Sequence, residues 1–193
     1  MSSHFFALVS RMKFINRWAL MRNVNQENLC EHSFEVAIIA HSLCIIGNER
    51  LGKNYDANKA AVIALYHDFS EILTGDMPTP VKYKNEQIKN AYKSVEKDAQ
   101  DTLLNYLPSD LQKHYSGIIC NDEIDDEYEK IVKAADKISA LIKCTEELKM
   151  GNSEFLKAKE ATYNSIKAMN IEEADVFLSE FIDSYSLTLD ELN

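Results

Sequence analysis

Two histidines and two aspartates lie where the sequence predicts buried helix faces, and together they suggest metal chemistry. His32 lies on the apolar stripe of one predicted helix, and His67-Asp68 directly follow the apolar run at 60–65. Asp136 interrupts another apolar helical run. Burying an unpaired carboxylate is expensive, and a bound cation removes that cost. Two imidazoles and two carboxylates from three helices therefore predict a site for a divalent transition metal.

Alternatives exist for each of these residues. A single buried histidine such as His32 is also typical of a hydrogen-bonded structural group in a core. Glu71 lies four residues after His67 and three after Asp68, so on a continuous helix it would share their face and reach a water at the metal. The alternative for Glu71 is a surface carboxylate near a helix end.

The charge distribution limits the class of ligand. The 193 residues carry a formal net charge of −10, which argues against a nucleic acid polymer as partner, because polymer binding normally uses a basic face. The first 26 residues differ, since they contain four basic residues and no acidic one: Arg11, Lys13, Arg17 and Arg22. This basic segment could bind a single phosphate group or could simply pair with the acidic remainder.

The elements that must position these residues are predicted to be helices. Only 5 glycines and 3 prolines are present, no strand pattern is convincing, and the length suits one domain. Apolar spacing indicates a helix near the N-terminus and further helices over about 31–46, 58–73, 87–106, 123–147, 152–168 and 172–185.

Details of these helices are also predicted. Gly47 is expected to end the second helix, 74–80 to form a stiff loop, and the acidic run 121–129 to be a solvated helix start. His41, nine residues after His32, falls on the opposite side of the same helix and is predicted to be a packed core residue, in a group with Phe34, Ala37, Ile38 and Ile45. No apolar run approaches the roughly 18 residues that cross a bilayer, so no membrane partner and a cytoplasmic location are expected.

The candidate ligands belong to recognisable motifs: EHS at 31–33, YHDFSE at 66–71, and Asp136. Five further segments accompany them, FINRW at 14–18, LMRN at 20–23, LTGD at 73–76, PTPVKY at 78–83 and LTLDE at 187–191. Together, over nearly the whole chain, they resemble the bacterial 5′-deoxynucleotidases of the HD-domain metal-dependent phosphohydrolase superfamily, whose signature is H…HD…D.

This resemblance implies an all-α, HD-domain helical bundle, with 1–193 as a single domain and a homodimer as the assembly. It implies hydrolysis of deoxyribonucleoside 5′-monophosphates to deoxyribonucleosides and phosphate, with one divalent ion per chain, Co²⁺, Mn²⁺ or a similar transition metal. The implied metal ligands are His32, His67, Asp68 and Asp136, and the implied catalytic acid/base is Glu71. The implied substrate-binding residues are Arg17, Trp18, His32, Asp68, Asp76, Met77, Pro78, Thr79 and Asp136.

Two other functions remain open. A related HD phosphohydrolase acting on another nucleotide, such as a cyclic nucleotide or a guanosine polyphosphate, would use much the same residues. Members with two metals add histidines between the HD pair and the last aspartate, where this chain has only His114, so one metal is expected. A non-catalytic nucleotide-sensing helical module is the second alternative, and it would not need Glu71 beside the metal ligands.

Overall fold

The computed structural model describes residues 2–120 and 123–193, and within them the chain is helical. The α-helices are α1 (Phe5–Val9), α2 (Leu29–Arg50), α3 (Ala57–Tyr66), α4 (Glu71–Thr74), α5 (Thr79–Lys82), α6 (Glu86–Asn105), α7 (Ser109–Ile119), α8 (Asp126–Lys149), α9 (Leu156–Ala168) and α10 (Glu172–Glu180). Over these two ranges the only β-type pairing is an isolated bridge between Asn16 and Asn28. The predicted all-α class is confirmed.

The main core forms around α2, which packs most extensively against α3 and α8. Leu43, Ile63 and Ile138, one from each helix, are at most 1% exposed, and burying such a side chain contributes roughly 1.5–3 kcal/mol. By length and composition α2 could also span a membrane, but 56% of its most apolar window is buried inside the protein. Its hydropathy is therefore that of a central core helix.

A second apolar cluster joins the N-terminal segment to the turn that follows α3. Phe5 of α1 contacts Phe69 of this turn with ring centroids 5.3 Å apart, and both rings are fully buried. Leu103 of α6 and Ile119 of α7 complete the cluster. Since Phe69 follows Asp68 in the chain, this packing fixes the backbone next to one of the candidate ligands.

The helix α2 continues past Gly47, where the sequence predicted its end. This glycine serves close packing instead of termination, because a Cβ atom there would lie 2.7 Å from the ring of Tyr55 and 3.0 Å from Glu173 Oε1. The start of α2 has a capping box in which Asn28 accepts from the backbone of Glu31 and Glu31 accepts from that of Asn28.

The predicted helix over 58–73 is interrupted after Tyr66. Its N-cap is Asp56, but residues 67–70 form tight turns in which Phe69 N bonds to Tyr66 O and Glu71 N bonds to Asp68 O. These bonds to the third preceding residue wind the chain more tightly than an α-helix. Glu71 then begins α4, and Gly75 follows it with a φ of 71°.

Other boundaries differ in smaller ways. The stiff loop predicted at 74–80 contains the start of α5, and α7 was not predicted. The last two predicted helices each include a 3-10 segment, Ser153–Phe155 before α9 and Ile182–Ser186 after α10. Of the acidic run, residues 121 and 122 lie outside the described residues, and Asp126, Glu127 and Glu129 occupy the first turn of α8.

The prediction that His41 is a packed core residue is wrong. His41 is half-buried, and its expected neighbours Phe34, Ile38 and Ile45 are 63%, 52% and 43% exposed, while Ala37 is buried. The helix α2 turns its other apolar face to α3 and α8, and this stripe is left at the surface.

Candidate metal centre

Side chains from three helical regions converge at one point of the bundle. His32 comes from α2, and His67 and Asp68 come from the turn after α3; their ligand atoms all lie within 4.8 Å of one another. Asp68 Oδ2 is 3.5 Å from His32 Nε2 and 3.1 Å from His67 Nε2. Asp136 of α8 approaches from the other side, with Oδ1 3.1 Å from His32 Nε2. The four residues singled out in the sequence are thus brought together.

These residues fit a divalent cation by their hydrogen bonding as well as by their type. Among the described residues, the Nε2 atoms of both His32 and His67 are buried without an aligned hydrogen bond, and each lies 3.1 Å from an aspartate oxygen, an arrangement that a cation between them would satisfy. His67 Nδ1 lies 2.7 Å from Ala64 O, so Nδ1 carries the hydrogen and the lone pair is on Nε2. A mixed set of imidazole and carboxylate ligands suits a transition metal.

Burial and mutual charge shift the ionisation of the cluster. Burial, followed by the Arg17 guanidinium, lowers the pKa of His32. Burial also opposes protonation of His67, but the Asp68 carboxylate outweighs it and raises the pKa of His67 to about 9. Burial disfavours the Asp68 anion, yet His67, His32 and Arg17 hold the pKa of Asp68 well below its usual range. Protons and a cation therefore compete for His67.

Glu71 is buried beside this cluster. Only 6% of it is exposed, and its Oε2 atom has no hydrogen-bond partner within the described ranges. Burial first, and then the carboxylates of Asp68 and Asp76, raise the pKa of Glu71 to about 10. The alternative of a surface carboxylate is wrong. The helix-spacing argument also needs correction, because a turn separates Glu71 from α3 and it reaches the cluster as the first residue of α4.

The one guanidinium at the cluster belongs to Arg17 of the basic segment. Its Nη1 atom is 2.9 Å from Glu27 Oε2 and 2.8 Å from His32 Nδ1, and its Nη2 atom is 3.6 Å from Asp136 Oδ1. The Arg17 side chain is largely buried, with 13% exposed. The other basic residues of the segment are elsewhere: Arg11 and Lys13 lie over the exposed ring of Phe14.

Trp18 is held from two sides in an uncommon backbone conformation. Its φ is 60°, in the left-handed region that few residues other than glycine adopt. Its Nε1 atom donates to Glu27 Oε2 at 3.0 Å, and its backbone amide stabilises the Asp76 carboxylate electrostatically. The indole packs on Phe155, with ring centroids 5.3 Å apart. Glu27, which bonds both Arg17 and Trp18, was not singled out in the sequence.

The buried carboxylate of Glu147 helps to anchor the loop that carries Arg17 and Trp18. Glu147 of α8, 0% exposed, accepts from the backbone N–H groups of Val24 and Asn25 at 2.9 and 3.0 Å. It also accepts from Lys143 Nζ at 2.6 Å and from Asn152 Nδ2 at 2.7 Å. Burial opposes its ionisation, but these donors lower the pKa of Glu147 to about 2. The loop that begins at Asn16 and ends at Asn28, where the bridge closes it, is therefore anchored to α8.

The predicted substrate loop lies at the edge of the cluster. Asp76, Met77 and Pro78 are half-buried, and Thr79 is exposed at the start of α5. Asp76 is linked to the cluster through Trp18; burial raises its pKa, and the nearby Arg17 opposes the rise. His114 is exposed on α7 and is not one of the clustered residues.

Comparison with known proteins gives a consistent set of relatives. The family model described as 5′-deoxynucleotidase YfbR-like matches residues 4–185. The 5′-deoxynucleotidase YfbR of Escherichia coli O1:K1 is 48% identical over 191 residues, covering 99% of this chain and 96% of the relative.

Two solved structures show the same fold at low identity. An HD-domain phosphohydrolase from Listeria innocua is 23% identical with a TM-score of 0.83, covering 96% of this chain and 90% of that one. The cyanophage S-2L HD phosphohydrolase DatZ, bound to dA and one catalytic Zn²⁺ ion, is 17% identical with a TM-score of 0.69, covering 92% and 96%.

Proposed function

The chain belongs to the 5′-deoxynucleotidase YfbR-like family, and from this premise we propose that it hydrolyses deoxyribonucleoside 5′-monophosphates to deoxyribonucleosides and phosphate. The observation that carries the proposal is the convergence of two unpartnered imidazole nitrogens, two carboxylates and one guanidinium at a single point. The unit that does this is one HD-type domain spanning 1–193.

We assign one divalent ion per chain to His32, His67, Asp68 and Asp136, with Co²⁺, Mn²⁺ or a similar transition metal as the ion. The catalytic Zn²⁺ of the cyanophage neighbour supports a metal of this class. When bound, such an ion supplies a water of lowered pKa and neutralises charge on a phosphoryl oxygen. His32, Asp68 and Asp136 also border the phosphoryl group because they surround the ion.

Arg17 binds the phosphate in this proposal. Its planar guanidinium can donate two parallel hydrogen bonds to phosphoryl oxygens, and Glu27 orients it from behind through the 2.9 Å contact with Nη1. Charge spread over the phosphoryl oxygens in the transition state is thereby met by a fixed positive charge.

Glu71 moves the proton. Hydrolysis takes one proton from the attacking water and delivers one to the leaving 5′-oxygen, and a carboxyl group beside both can perform either transfer. Burial, with the carboxylates of Asp68 and Asp76, raises the pKa of Glu71 in the metal-free pocket, and a bound cation would oppose this rise. Such a group can protonate the leaving oxygen and recover its proton from the water.

Trp18 and the segment formed by Asp76, Met77, Pro78 and Thr79 shape the pocket around the phosphate and sugar. The backbone of Trp18 lies near the Asp76 carboxylate, so the two segments are neighbours at the site. We expect these two segments to select at the 2′ position by close packing.

The test is phosphate release from a panel of deoxyribonucleoside and ribonucleoside 5′-monophosphates, with each divalent metal in turn. The panel also contains a cyclic nucleotide and a guanosine polyphosphate. Deoxyribonucleoside monophosphates are expected to be the preferred substrates. Preference for either of the last two compounds would identify an HD phosphohydrolase of different specificity, and binding without turnover would identify a nucleotide-sensing module.

We also propose a cytoplasmic homodimer. The apolar stripe of Phe34, Ile38 and Ile45 on α2 supports self-association, because contiguous exposed apolar side chains typically mark interaction surfaces. Sedimentation analysis should give a dimer for the parent chain and a monomer for Ile38→Glu. A monomeric parent would remove this part of the proposal without affecting the reaction.

A further inference from the structure

We propose that Ser139 and Glu35 form a hydrogen-bonded relay that fixes the tautomer of His32 and so leaves its Nε2 lone pair directed at the metal position. Neither residue would touch substrate or metal, so both are positioning residues. The inference rests on the proposed function in one respect only, namely that the four-residue cluster binds a metal.

The relay runs inward from a cavity to the metal centre. Glu35 lines an acidic cavity of about 400 Å³ between α2 and α8. Its Oε2 atom lies 2.5 Å from Ser139 Oγ, and Ser139 Oγ lies 3.1 Å from His32 Nδ1. Ser139 and His32 are both 0% exposed. Ser139 is one helical turn after Asp136 on α8, and Glu35 is one turn after His32 on α2.

The direction of these hydrogen bonds follows from the donors that each group has. An ionised Glu35 carboxylate only accepts, so it takes the single hydroxyl hydrogen of Ser139. The Ser139 oxygen can then only accept from His32, which requires the hydrogen of the neutral imidazole to be on Nδ1. The lone pair is consequently on Nε2, the atom 3.1 Å from Asp136 and 3.5 Å from Asp68. Histidine ligands usually donate their other ring N–H to such a partner.

A competing contact explains why the relay is needed. Arg17 Nη1 lies 2.8 Å from the same His32 Nδ1 atom, and a guanidinium can only donate. Arg17 would favour a lone pair on Nδ1, and the Asp136 carboxylate, 3.1 Å from Nε2, would favour the hydrogen on Nε2, where it blocks metal binding. Ser139 and Glu35 oppose this preference.

The relay requires Glu35 to be ionised. Burial, opposed by the hydrogen bond from Ser139 and supported by the carboxylates of Glu27 and Glu146, raises the pKa of Glu35 to about 6. Arg17 also faces it and lowers the pKa. Glu35 is therefore mostly a carboxylate at about pH 7.5, which is the condition for the experiment.

The experiment measures zinc retention by the zinc-loaded full chain against a competing chelator. Ser139→Ala and Glu35→Ala are expected to lower zinc affinity by about 10–100-fold. The matched controls are Ser33→Ala, a buried serine whose hydroxyl has no partner within the described chain, and Glu146→Ala, which borders the same cavity. Both controls should retain zinc as the parent does.

A second readout reports the tautomer directly. Long-range ¹H–¹⁵N spectra of histidine-labelled, metal-free protein should show a larger population of His32 with its hydrogen on Nδ1 in the parent than in both relay variants. Parent-like zinc retention together with an unchanged tautomer would overturn the relay. A parent chain that fails to hold zinc would instead overturn the metal centre and the proposed function. If Ser139→Ala does not fold, Glu35→Ala carries the test, because Glu35 borders the cavity.

Discussion

Replacing Glu71 with glutamine is expected to stabilise the metal-free fold and to lower turnover by orders of magnitude, both because the ionisable carboxyl group is lost. Glu71 is 6% exposed and its Oε2 atom has no partner among the described residues. Burial first, and then Asp68 and Asp76, raise its pKa from an ordinary 4.5 to about 10. Glutamine has nearly the same shape as a protonated glutamate, but it has no acidic proton to release.

The sign and size of the stability effect follow from proton linkage. The unfolded chain releases the Glu71 proton near pH 4.5, whereas the folded chain keeps it to about pH 10. The stabilisation from this proton is complete below the lower value and is lost progressively as the pH rises toward the upper one. The slope is about 1.36 kcal/mol per pH unit, so the parent should lose roughly 3 kcal/mol relative to Glu71→Gln between about pH 5.5 and about pH 7.5.

The assay is urea unfolding followed by circular dichroism at both pH values, with a chelator present. The difference in unfolding free energy between variant and parent should widen by the stated amount. Glu49→Gln, at an exposed position of α2, is the control and should show a constant difference. If the Glu71→Gln difference were equally constant, the reasoning about its burial would be refuted.

The same variant tests the chemical role once metal is restored. Turnover should fall by about 10²–10⁴, the usual contribution of a positioned acid or base, while affinity for a deoxyribonucleoside monophosphate stays close to that of the parent. A loss of less than about tenfold, or about 1.4 kcal/mol, would exclude Glu71 as the acid/base. Asp76 would then be the next carboxylate to test.

Further substitutions separate the other roles. Asp136→Ala should leave well under one metal per chain by elemental analysis, and full metal content would contradict the ligand assignment. Arg17→Ala should weaken binding of a nucleoside monophosphate by about 1.5–3 kcal/mol in calorimetry while sparing the product nucleoside; equal losses would indicate a structural role. Glu27→Gln, which leaves only one good acceptor for two donors, should raise KM severalfold with unchanged metal content. His41→Gln should leave both metal content and melting temperature nearly unchanged, since its face of α2 is largely exposed.

The sequence predicted the metal cluster well because its signals are local and chemical. A histidine within an apolar run is predicted to lie in the core, as His32 does in α2, and a bound cation removes the cost of burying polar groups together there. Asp136 of α8 is half-buried. The long helices were equally readable from periodicity, except α7. The residues of the cluster come from α2, α8 and the turn after α3, so spacing alone could indicate which faces they occupy but not their distances.

What the sequence could not predict depends on contacts between distant segments. Glycine often ends a helix, but Gly47 lies inside α2, because a side chain there would clash with the ring of Tyr55. Glu27 looks like an ordinary acidic loop residue, and only its contacts with Arg17 and Trp18 reveal a role. His41 was misjudged because two faces of α2 are apolar and periodicity does not say which one is covered. The only available signal for Glu27 was its position inside an otherwise basic, polar loop.

The anchoring of the 17–28 loop by Glu147 has a consequence for how this protein can diversify. The loop carries Arg17 and Trp18 but is fastened to α8 through its own backbone N–H groups, which every residue except proline supplies. Exposed side chains along the loop, such as Leu20 and Val24, can therefore be exchanged without releasing it. Arg17, Glu27 and Asn28 are exceptions, because Arg17 contacts His32, Glu27 holds Arg17 and Asn28 caps α2. Variation is thus tolerated at the exposed positions of the loop while the residues that contact the metal cluster stay fixed.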